Sequence, residues 1–200
     1  MLTKQTISSI VLALGAALLL TFAARPAYAH CDKLDGPVAT AAREALDTGA
    51  FDAIRIWVGP EQEADLRSAF RQARTVRDLN TEAQSLADRY FIETAVRLHR
   101  AAEGMPFDGV KPAGIPNPPD IRAGDQALQS GDIEPVLRVL QAALRQNVRR
   151  WYQEAQTAKQ RKDHSVDAGR EWVDAYVQYI VYVHRLYQQI QAPPAHGVGE

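Results

Sequence analysis

From Asp35 onward, apolar residues recur three and four positions apart, and the chain reads as a succession of helices. Pro37 can occupy the first turn of one, and "VATAAREALDTG" carries it to a stop at Gly49. "FDAIRIWVG" forms a short second element ending at Gly59. Pro60 opens "EQEADLRSAFRQARTVRDL", with acids in its first turn and arginines toward its end, as the helix dipole favours. Asn80 and Thr81 can cap the next helix. The pattern therefore predicts main helices near 61–78, 81–103, 133–161 and 164–191. Between the second and third lies "GMPFDGVKPAGIPNPPD", residues 104–120, whose five prolines suit a connector rather than a helix or an interior strand.

The second half replays the first. "REALDTGAFDAIRIWV" lies over "DQALQSGDIEPVLRVL" at an offset of 82, pairing Ala45 and Leu46 with Ala127 and Leu128, and Gly49 with Gly131. Leu66, Phe70 and Ala73 then fall on Val148, Tyr152 and Ala155; farther on, at an offset of 81, "ADRYFIETAV" falls on "AGREWVDAYV". Two helical hairpins, neither able to bury its apolar face alone, predict an all-α protein: an antiparallel four-helix bundle with short extra helices and the 104–120 loop as its crossover. Residues 30–192 are expected to form this domain, and 193–200 a frayed tail.

The residues ahead of the domain read differently. Lys4, the apolar run "IVLALGAALLLTFAA" and Ala27-Tyr28-Ala29 have the form of a secretory signal, 1–29, cut after Ala29. The protein is then expected in the periplasm or outside the cell, with no membrane association after cleavage. Of 23 Lys and Arg residues, Lys4 and Arg25 precede the cut, leaving 21 against 24 acidic residues and a net charge of −3. No clustered positive charge marks a nucleic-acid partner. The exported compartment is oxidising, yet the sole cysteine, Cys31, can make no disulfide within the chain; it pairs with another molecule, stays a thiol or binds a metal.

Two regions could carry chemistry. Ile92, Val96, His99 and Glu103 share one helix face, and the repeat lays the first three on Val173, Val177 and Ile180, with His184 following. In an up-and-down bundle these stripes would both look inward and end in residues that can ligate metal: His99 and Glu103 on one, His184 on the other. The second region is the mature terminus. Cleavage gives His30 a free amine beside its imidazole, and Cys31 adds a thiolate and its amide nitrogen, a donor set suited to Cu(II) or Ni(II). Asp32 and Asp35 are carboxylates within reach.

The stretch "HCDKLDG" resembles the metal-binding hook of nickel superoxide dismutases, whose mature chains begin His-Cys-Asp and reach a second Cys just before a Gly. His30, Cys31, Asp32 and Gly36 match in register; Asp35 stands where the second cysteine would be, and the Pro and Tyr of that hook are lacking. The resemblance implies a four-helix bundle, an amine and axial imidazole from His30, and a thiolate and backbone nitrogen from Cys31. A carboxylate is a harder ligand than a thiolate, so the same redox range does not carry over. The mature chain also resembles an uncharacterised family of secreted bacterial helical proteins with this opening, which implies no activity.

An exported Cu- or Ni-binding helical protein is thus the leading expectation, either a metal-dependent oxidoreductase similar to superoxide dismutase or a non-catalytic carrier. The alternative is a periplasmic interaction scaffold in which Cys31 forms an intermolecular disulfide and the tyrosine-rich run "YVQYIVYVHRLY" offers an adhesive face. Hydrolase chemistry has no G-x-S-x-G, H-E-x-x-H or phosphate-cradling loop behind it.

Overall fold

The computed structural model describes residues 30–195, 197 and 198; the expected leader at 1–29, His196 and the last two residues lie outside the described residues. The protein is all-α. Its helices are α1 (Pro37–Thr48), α2 (Asp52–Arg55), a 3-10 turn (Pro60–Gln62), α3 (Glu63–Arg77), α4 (Thr81–Ala102), α5 (Pro119–Ser130), α6 (Glu134–Arg161) and α7 (Val166–Gln191). Among the described residues no strand forms, and one isolated parallel bridge joins Lys33 to Lys111. No described helix is long and apolar enough to cross a membrane.

The four long helices fall close to where periodicity predicts them, and α5 is the addition. It was hidden in sequence by the prolines before it, yet Pro119 sits at the tolerated first turn, as Pro37 does in α1. The two helices also end alike: Gly49 and Gly131 take left-handed φ values of 78° and 75°, and their N–H groups donate to the Ala45 and Ala127 carbonyls. A side chain at either position would be strained there, so the repeat is physical at its caps. The halves diverge where Gly59-Pro60 interrupts the first. The matching positions in the second are Gln141 and Ala142, and α6 runs unbroken for 28 residues.

The chain divides into two compact units. The first holds the described residues through Trp57, together with Glu63–Leu98 and Phe107–Gly114. Its α1 packs on α2 and α3. Leu46, Ile54, Leu66 and Phe91 are fully buried, each worth about 2 kcal/mol of apolar transfer. Phe51, Phe70 and Phe91 form a ladder with ring centroids 5.3 and 5.4 Å apart, and Arg67 lies over the Phe51 ring. As expected, Asn80 caps α4 by accepting from the Ala83 N–H at 2.8 Å.

The second unit holds Val58–Gln62, His99–Pro106 and the described residues from Ile115. Here α6 packs against α5 and, as an antiparallel hairpin, against α7. Trp151 meets Tyr182 at 5.8 Å and Tyr152 meets Tyr179 at 5.9 Å. Ser165 caps α7 by accepting from the Ala168 N–H. The stripe Val173, Val177 and Ile180, expected to look inward, is exposed: α7 buries none of its residues fully, because its packed side carries the aromatic contacts to α6 instead.

Candidate metal site at the amino end of the domain

The stretch from His30 to Gly36 curls into a closed turn within the first unit. Gly36 donates to the Lys33 carbonyl at 2.9 Å, and its own carbonyl accepts from Thr40 to start α1. A Cβ on Gly36 would stand 2.3 Å from the His30 carbonyl oxygen and 3.0 Å from that of Lys33, so only glycine allows this curl. The proline-rich segment then clamps the turn. Leu34 donates to the Lys111 carbonyl at 2.9 Å, Lys111 donates to the Asp32 carbonyl at 2.8 Å, and Arg43 of α1 donates to the Leu34 carbonyl. Asp32 and Lys33 are buried, while His30 and Cys31 are half-buried.

Asp35 has a structural duty. One carboxylate oxygen accepts from the Gly114 N–H at 2.8 Å, and the other lies 3.8 Å from the Lys33 ammonium. The Gly114 hydrogen bond foremost, and then the Lys33 charge, hold the Asp35 carboxyl below its usual range. Its stabilising effect is therefore complete above about pH 3.9, the ordinary aspartate value, and is lost as pH falls through the lowered one. In an acid titration followed by amide NMR, the Gly114 resonance is expected to report this release, and Asp35→Asn to remove the titration from it.

The other candidate ligands lie in the second unit. His99 is buried at the end of α4, its Nε2 3.6 Å from Glu103 Oε1, and the second Glu103 oxygen accepts from Arg100 Nη1 at 2.7 Å. Glu103 thus balances a buried guanidinium as well as facing His99. His184 is exposed on α7. Among the described residues, no three His, Cys, Asp or Glu side chains gather closely enough to hold a metal ion. A site built on His30 and Cys31 presents no such cluster, because two of its four donors are backbone nitrogens. The turn's compactness and the half-exposed Cys31 fit that donor set. Asp35, committed to Gly114, does not fit as a further ligand.

Sequence reasoning missed Lys111 and Gly114, since backbone pairing between two irregular segments has no periodic signature. It also read Lys33 only as a passing residue of the hook, although it is buried.

Fold and terminus together define an all-helical protein whose domain opens with a clamped His-Cys-Asp turn. The chain belongs to a family of unknown function (DUF6448), which it matches over residues 35–182. His30, Cys31 and Asp32 precede the matched span. No curated protein and no solved structure matches the chain.

Proposed function

We propose that the protein is exported, cleaved after Ala29, and binds one Cu or Ni ion per chain through His30 and Cys31. The observation that carries this reading is the clamp: residues that would lead the mature chain are not a loose end but a closed turn held by α1 and residues 107–114. Fixing a donor set before the ion arrives lowers the ordering cost of binding. In the mature chain His30 would supply amine and imidazole nitrogens, and Cys31 an amide nitrogen and a thiolate. The ion would contribute one-electron redox chemistry or simply be carried. Binding without turnover is the favoured form, because the position of a second thiolate holds Asp35, whose carboxylate is engaged elsewhere.

The test pairs intact mass with elemental analysis on the same exported sample, purified without chelators and reloaded with Cu(II) or Ni(II). A mass beginning at His30 with one metal per chain is expected. A different first residue, or no stoichiometric metal, overturns the proposal.

A further inference from the structure

Residues Phe107–Gly114 have the features of a moving part. They belong to the first unit, while the chain on both sides of them belongs to the second. Helix α4 ends at Ala102 and α5 begins at Pro119, so this strap can leave the turn without unwinding a helix. None of residues 107–114 is fully buried, and their hold on the turn is by hydrogen bonds more than by burial. Segments held in this way open before the core does. Gly109 and Gly114 take left-handed φ values of 98° and 81°, yet a Cβ on either would meet nothing within 4 Å. Backbone angle, not lack of room, requires glycine there, and glycines so placed let the chain swivel on either side of Lys111. Across Gly109, Lys111 Nζ reaches Asp108 Oδ1 at 2.7 Å and braces the strap.

The donors assigned to the metal stand on two consecutive residues, and two of them are backbone nitrogens. Shedding an ion from such a set requires the backbone to rotate through residues 30–32. The Asp32 carbonyl, accepting from the Lys111 N–H at 2.8 Å, and the Leu34 N–H, donating to the Lys111 carbonyl at 2.9 Å, resist that rotation. Asp35 ties down the end of the strap, its carboxylate accepting from the Gly114 N–H at 2.8 Å. The Asp35 side chain is 43% exposed, so this fastening is open to water.

We propose that the strap gates metal exchange, with Asp35 as its latch: the ion enters and leaves when residues 110–114 swing off the turn. The gate rests on the Cu or Ni reading above and adds to it what sets the rates. Release and uptake pass through the same open state, so loosening the latch speeds both. Affinity moves little as long as the closed form dominates.

Stopped-flow mixing tests it on the mature chain, 30–200. Ni(II), or Cu(II) if Ni(II) is not retained, is added to measure uptake, and excess chelator is added to the loaded chain to measure release. Asp35→Ala is expected to speed uptake and release about 10-fold each, as the loss of a hydrogen bond to a charged group implies. The dissociation constant is expected to stay within about 3-fold of the native one. Gly109→Ala strains the strap from outside the turn and is expected to speed both steps several-fold. Hydrogen exchange at the Leu34 N–H of the metal-free chain is expected to quicken by the same factors, with helical circular dichroism unchanged. A chain that holds neither ion overturns the metal reading and the gate together. The gate alone is overturned if Leu34 exchange quickens without the metal rates, if release quickens without uptake, or if Asp35→Ala moves neither.

Discussion

Replacing Arg77 with methionine is expected to destabilise the first unit by about 3 kcal/mol, the lower end for breaking a buried ion pair, because both acidic partners keep some solvent contact. The Arg77 side chain is 6% exposed and its guanidinium donates to three groups. Nε and Nη2 bridge both oxygens of Asp88 at 2.9 and 3.1 Å, Nη2 also reaches Asp47 at 2.8 Å, and Nη1 donates to the Leu46 carbonyl at 2.6 Å. The Asp88 hydrogen bonds raise the Arg77 pKa further above its already high ordinary value, so it stays charged at every working pH. Methionine would fill much of the volume but leave Asp88 facing nothing, and the α1–α3–α4 junction would lose its common tie. Thermal unfolding should fall by roughly 10 °C. Arg77→Lys is expected to recover only part of this, since an ammonium cannot bridge Asp88 and reach Leu46 from one planar group. A loss of under about 1 kcal/mol for Arg77→Met would show that the network is ornamental.

One alanine inserted ahead of His30 in the mature protein is expected to weaken metal binding on the order of 100-fold, or about 2.8 kcal/mol. The insertion turns the His30 amine into an amide and moves the free amine away from the imidazole, while the clamp on Asp32, Leu34 and Asp35 is untouched. Unfolding of the metal-free protein should therefore not change. Gly36→Ala is the structural counterpart. Its added carbon meets backbone oxygens, not a side chain that could swing aside, so the turn must open and metal binding should fall together with the protection of residues 31–36 in hydrogen exchange. Competition titration with a chelator of known affinity measures both variants. An alanine-extended chain that binds as tightly as the native one would remove His30 from the site.

Much of the fold was legible because its punctuation is local. Asn80, Pro37 and Gly49 each act within one turn of where they stand, and the long helices follow from spacing alone. The α5 helix was missed for the complementary reason: prolines at 116, 118 and 119 dominate their window, although the offset of 82 already placed Pro119 over Pro37. The candidate site was legible in its residues but not in its setting. His30, Cys31 and Gly36 stand out in sequence; their clamp depends on Lys111 and Gly114, whose contribution is backbone and carries no residue signal. Arg77 was read as a helix-end charge complementing the dipole, because nothing in spacing tells a solvated arginine from one enclosed by two aspartates. Its counterpart in the second repeat, Lys159, extends over the Trp172 ring at 5.9 Å, which shows how far equivalent positions can part in role. The inward stripe predicted for α7 was right in its periodicity, and its exposure could not be foreseen, since an apolar face does not name what covers it.

The tie between Asp35 and Gly114 spans 79 positions of the chain. Contacts so distant in sequence form only after the intervening polypeptide is present and its loop entropy has been overcome. For a polypeptide threaded through a translocation pore with its amino end leading, the opening thiol would reach the far side long before the strap that fastens it. Over that interval the thiol would be open to oxidation in a turn not yet fastened, and a supply of metal or of reductant at the exit would decide its fate.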